Sequence, residues 1–62
     1  MSWTQYEVWA EFDGHQELIE TTHSRKEAMQ LAEKTFHEGS EFVEVFEETK
    51  DGDYVSIKQL SK

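Results

Sequence analysis

Cysteine is absent from this chain, and with it go disulfide bridges and thiolate zinc sites as supports for a small core. Stability must come from packing, capping or self-association, and the missing disulfides fit a reducing, intracellular setting. Long apolar runs are missing too. Nothing approaches the about 20 residues that span a bilayer, and the opening MSWTQYE has neither the basic nor the apolar region of a signal peptide, so the chain is read as soluble and cytoplasmic. Positive charge is scarce, with six Lys and Arg against fourteen Asp and Glu, a net charge of −8. Like charges repel, which excludes direct binding to nucleic acid or an anionic membrane and makes a protein with a basic surface the natural partner. Acidity also keeps a small domain in solution, so charge alone does not define a function.

The residues that catalysis usually needs are also missing. There is no cysteine nucleophile, no glycine-rich phosphate loop and no H-E-x-x-H zinc helix. His23 and His37 flank an expected helix that holds them ~20 Å apart, too far to share a metal. Glu33 precedes His37 by one helical turn, but two ligands make a poor metal site and a surface pair is the simpler meaning. Ser24 is better employed as a helix cap than as a nucleophile. A chain of 62 residues also has little volume for a ligand pocket of about 300 Å³ or more. The expectation is therefore a non-enzymatic protein without cofactor or metal.

What the chain does contain is periodicity. Residues 5–12, QYEVWAEF, alternate, with Tyr6, Val8, Ala10 and Phe12 on one face and Gln5, Glu7, Trp9 and Glu11 on the other, as in a half-buried strand. The following Asp13-Gly14 pair is a strong hairpin signal, because a type I′ turn needs positive φ at both central residues. With those two residues as the turn, Phe12 faces His15, Val8 faces Ile19 and Tyr6 faces Thr21, which sends Ile19 to the core and sets Leu18 beside Trp9. A second hairpin is expected from EFVEVFEE (41–48) and YVSIKQL (54–60) around TKDGD, again centred on Asp-Gly. In its first strand Val43 and Val45 share one face and Phe42, Glu44 and Phe46 the other. Either set can enter the core, and the opposite face then keeps large apolar side chains.

Between the hairpins, Ser24 followed by Glu27 has the capping-box pattern, and Gly39 is placed to close a helix from about Arg25 to Glu38. Ala28, Leu31, Ala32, Thr35 and Phe36 form its single apolar stripe, with Met29 on the flank. The stripe is narrow and rich in alanine, so the helix can lie close to a sheet.

The order ββαββ predicts one α+β domain over residues 1–62, a four-stranded sheet of two antiparallel hairpins with the helix across one face. The crossover through the helix should be right-handed if it joins parallel strands. This layout, with ETTHSRKEAMQLAEKTF leading into the helix, resembles the immunoglobulin-binding domains of protein G. The likeness covers element order and a few helix residues, implies fold alone, and carries over no binding residue.

Charge is distributed unevenly over this plan. The helix segment balances Arg25, Lys26 and Lys34 against Glu27, Glu33 and Glu38, whereas the hairpins hold eleven acidic residues against Lys50, Lys58 and Lys62. The acidic part is the sheet. Its uncovered face should present Glu7, Trp9 and Glu11 from the first strand, and Trp3 if the strand reaches back that far, with Leu18 beside Trp9 and, from the third strand, either Phe42, Glu44 and Phe46 or the Val43 and Val45 pair; the first set is taken as the candidate binding surface. Tryptophan in such a place favours a protein-binding surface, since large rings with a polar handle dominate interface energetics. Two alternatives share this surface. Alternate strand residues lie ~6.6 Å apart on one face, so Glu7 with Glu11 and Glu44 with Glu48 would form rows of negative charge, which suit an inhibitor of the kind made by phages and mobile elements that mimics nucleic acid and blocks a host enzyme. A homodimer closed through the aromatic face is the other.

Overall fold

The computed structural model describes residues 4–62. Two hairpins and a helix follow in the order β1 (Gln5–Phe12), β2 (His15–Thr22), α1 (Arg25–His37), β3 (Phe42–Glu48) and β4 (Tyr54–Ser61). The strands lie in one sheet, β2-β1-β3-β4, and every hydrogen-bonded pair is antiparallel. The fold is the α+β arrangement that the sequence pattern implies. Because β2 and β3 both run against β1, they run parallel to each other with β1 between them, and α1 is the crossover that such a connection requires.

The two Asp-Gly pairs make different turns. Asp13 (φ 50°) and Gly14 (φ 84°) are both left-handed, which gives the two-residue type I′ turn. At the other hairpin only Gly52 (φ 85°) is left-handed, and the Gly52 N–H donates to the Thr49 carbonyl at 3.0 Å while the Thr49 N–H donates to the Asp53 carbonyl at 2.8 Å. That is a three-residue loop, a tight turn closed by a left-handed glycine. The Asp53 N–H adds a bond of 3.2 Å to the Thr49 hydroxyl.

Each hairpin departs from simple pairing at a β-bulge in its edge strand. In the first, Phe12–His15 and Trp9–Leu18 pair as the turn dictates, but beyond them Val8 faces Glu20 and Tyr6 faces Thr22, rather than Ile19 and Thr21. In the second, Val45 faces Lys58 while Phe46 faces Ser56. The supernumerary residue is an isoleucine in both, Ile19 and Ile57, and both pack against the core. A bulge increases local twist and breaks the ladder that an edge would offer to another chain. In β2 it also brings Thr22 rather than Thr21 to the helix side, where the Thr22 hydroxyl donates to Glu27 Oε2 at 3.0 Å and accepts from the Ser24 N–H at 3.1 Å.

The helix start elaborates the capping box. Ser24 Oγ accepts from the Glu27 N–H at 3.2 Å, but the Glu27 carboxylate reaches the Ser24 N–H through the Thr22 hydroxyl instead of directly. At the other end the helix stops at His37, one residue before the predicted end, with Glu38 as its cap. Gly39 (φ 117°) then turns the chain, so that its N–H meets the Phe36 carbonyl at 3.2 Å and the Ser40 N–H meets that of Thr35 at 3.5 Å. Ser40 is fully buried, and its hydroxyl lies 2.8 Å from the Phe42 carbonyl oxygen and 3.0 Å from that of Glu11, pinning the helix exit to the end of β1.

Val43 and Val45 are the pair that enters the core. They join Tyr6, Val8 and Ala10 beneath Ala28, Ala32 and Thr35 of the helix, with Phe12, Ile19, Leu31, Phe36, Ile57 and Leu60 around the margin. The helix lies mainly over the central strands β1 and β3. Ala28 and Ala32 are fully buried against this layer, and small side chains there let a helix pack close to a sheet.

Candidate functional site: the uncovered sheet face

Residues that face each other in an antiparallel ladder project to the same side, so the register assigns the outer face directly. Between β1 and β3 the outer pairs are Glu7–Phe46, Trp9–Glu44 and Glu11–Phe42. Every pair joins one carboxylate to one aromatic ring, and the two kinds exchange strands at each step. The result is a checkerboard along the centre of the sheet. Gln5–Glu48 extends it at one end, while Leu18 and Gln16 flank it from β2, and Tyr54, Ser56, Gln59 and Ser61 from β4. Among these outward positions are four glutamates and no lysine, arginine or histidine.

The polar groups of this face are partly committed. The Trp9 indole N–H donates to Glu7 Oε1 at 2.9 Å, which fixes the ring and gives its nitrogen a partner. Gln59 Nε2 donates to Glu44 Oε2 at 2.8 Å. The phenol of Tyr54, half exposed at 52%, is held above its ordinary pKa of about 10, first by the charge of Glu48 and then by that of Glu7. A phenolate there would add a third negative charge, so the neutral, donating form persists.

Glu7, Trp9, Phe42, Glu44, Phe46 and Tyr54 line an open depression of about 540 Å³. Chain length argued against a pocket of that size. The depression exists because it is a groove between side chains standing on an uncovered sheet, not a cavity enclosed by the core.

Of the residues singled out from the sequence, Glu7, Trp9, Glu11, Leu18, Phe42, Glu44 and Phe46 share this face. Leu18 stands beside Trp9 and is 47% exposed. Trp3 lies outside the described residues. Glu48, which the sequence aligns with Glu44 in a row of negative charge, is on this face too, whereas Tyr54 and Gln59 were missed. Strict alternation along YVSIKQL groups Tyr54 and Ser56 with Lys58 and Leu60, whereas the bulge at Ile57 reverses the faces and leaves Tyr54, Ser56, Gln59 and Ser61 together. Only the turn offered a signal, since a short Asp-Gly loop places Tyr54 close opposite Glu48.

Among the described residues no three of His, Asp and Glu are grouped so as to hold a metal ion, and no helix is long and apolar enough to cross a membrane. No family model, no curated protein and no solved structure matches this chain.

Proposed function

We propose that the protein is a non-enzymatic, cytoplasmic interaction module that binds a protein partner with a basic surface through the outer sheet face. One observation carries this: Trp9, Phe42, Phe46 and Tyr54 stand on the uncovered side of the sheet, in alternation with four glutamates and without a cation among them. Rings supply contact area, carboxylates steer and orient a basic partner, and a shallow groove lets the two meet. A homodimer through this face is disfavoured, because a two-fold interface would set two copies of the same four glutamates against each other. Mimicry of nucleic acid is disfavoured by the checkerboard itself, since rings interrupt each row of negative charge.

The test is site-specific photo-crosslinking in cell extract, with the reactive group at Leu18 on the outer face or at Lys34 on the helix. The expected result is a discrete adduct from the Leu18 position that disappears in the Trp9→Ala background, with none from Lys34. An adduct from Lys34 alone would refute docking through the sheet. An adducted DNA- or RNA-binding enzyme, captured at low salt only, would favour mimicry instead.

A further inference from the structure

We infer that the ring–carboxylate pairs of the β1–β3 ladder are receptors for arginine side chains, presented at alternate positions of an extended protein segment that lies along the groove. This rests on the outer face being the docking surface and specifies what docks there. Charge complementarity comes first, since the face holds Glu7, Glu11, Glu44 and Glu48 and no cation. The arrangement of those charges then selects the kind of cation. Opposed residues of a ladder have Cβ atoms about 4.5–5.5 Å apart, so each ring has a carboxylate at its edge. A planar guanidinium can lie on the ring and direct its N–H fork sideways at that carboxylate. A lysine ammonium is a compact, strongly hydrated point charge, and stacking on the ring would cost it more hydration than it costs the weakly hydrated faces of a guanidinium.

Pitch supplies the register. Successive ring–carboxylate pairs are two residues apart along the strand, about 6.6–6.8 Å, which is also the spacing of alternate side chains in an extended chain. Glu7 already accepts from the Trp9 indole, so the Glu7–Phe46 unit is the least open. Trp9–Glu44 and Phe42–Glu11 are the working pair, and Glu44 has only to exchange a neutral amide, that of Gln59, for a charged donor. The segment lies across the face rather than adding to an edge, because the ladders of both edge strands are broken by bulges.

The experiment titrates the labelled protein with three synthetic peptides of equal length and charge, following backbone amide and Trp9 indole NMR signals. One carries arginine at alternate positions separated by threonine, the second lysine at those positions, and the third the same arginines in one contiguous block. The expected outcome is that the alternating arginine peptide shifts signals of β1 and β3, including the Trp9 indole, and binds about tenfold more tightly than either comparison peptide. Trp9→Ala and, as a shape-preserving second variant, Glu44→Gln should each lower that affinity several-fold, with an unchanged far-ultraviolet circular dichroism spectrum showing that the fold is intact. Equal binding of the arginine and lysine peptides on the sheet face would overturn the guanidinium assignment and leave the basic-partner proposal standing. Shifts confined to loops or helix, or none with any peptide, would overturn both.

Discussion

Both faces of the sheet carry large apolar side chains, but only one of them is covered. Beneath the helix lie Tyr6, Val8, Ala10, Val43 and Val45, whereas the open side carries Trp9, Phe42, Phe46 and Tyr54. Only the centre of the covered face, packed with the fully buried Ala28 and Ala32, is restricted to valine and alanine; Tyr6, Phe12, Ile19, Ile57 and Leu60 complete it, and larger side chains at the centre would push the helix away. The open face has no such limit, and Trp9 stands at its centre. Hydrophobicity alone therefore does not identify the core of this protein; closeness of approach does. The rings that the chain leaves uncovered are the feature on which the proposed docking surface rests.

The contrast can be broken most forcefully from the inside. Val45→Ala removes two buried carbon atoms and should cost about 2 kcal/mol, a large part of the about 3–9 kcal/mol expected of a domain this size. Urea denaturation would measure it, and a loss below half that figure would mean that the covered face is not the main source of stability. Gly39→Ala should cost about 1–2 kcal/mol by forcing a side chain into the left-handed region. A Cβ there would meet nothing within 4 Å, so the loss would come from the backbone turn that delivers Ser40 to its buried site. A fall in thermal midpoint should report it, with the sheet register retained in amide exchange.

On the outer face the expectation reverses. Trp9→Ala deletes many more atoms than Val45→Ala yet should cost only about 1 kcal/mol, because the ring is partly exposed and stands on no second layer. Its effect should fall on partner capture instead. Equal destabilisation by the two substitutions would abolish the distinction between the faces.

The smallest effect is a pH dependence. Glu48 and Glu7 raise the folded-state pKa of Tyr54, so the folded chain retains this proton to higher pH than the unfolded chain does. The stabilisation is complete below the unfolded phenol pKa of about 10 and is lost as pH rises through the higher folded value. Ultraviolet titration should show Tyr54 ionising late, and Glu48→Gln should lower its midpoint more than Glu7→Gln does.

Legibility from sequence followed the range of the forces involved. The first strand, the helix with its Ser24 and Gly39 ends, and both turns were readable because the causes lie within a few residues: alternation, capping hydrogen bonds and positive φ. The pairing of Trp9 with Leu18 was readable for the same reason, being a short count from the turn. Beyond Ile19 and Ile57 the count failed, since a bulge in either strand depends on twist and on contacts with the helix. Thr22 gives the clearest case: nothing in HQELIETT distinguishes it from Thr21 until Glu27 is packed alongside. Tyr54 was lost to the site by the same mechanism in the other hairpin.

Local chemistry thus determined the elements, their order, the acidity of the hairpins and the placing of Glu7, Trp9 and Glu11 on one side of a strand. Tertiary structure alone decided that Val43 and Val45 go under the helix and that Phe42 and Phe46 alternate with glutamates across the ladder from β1. The reason is geometric. Periodicity assigns residues to two sides of a strand, but which side is covered depends on where the helix docks, and which residue stands across the β1–β3 ladder depends on a strand more than thirty positions away.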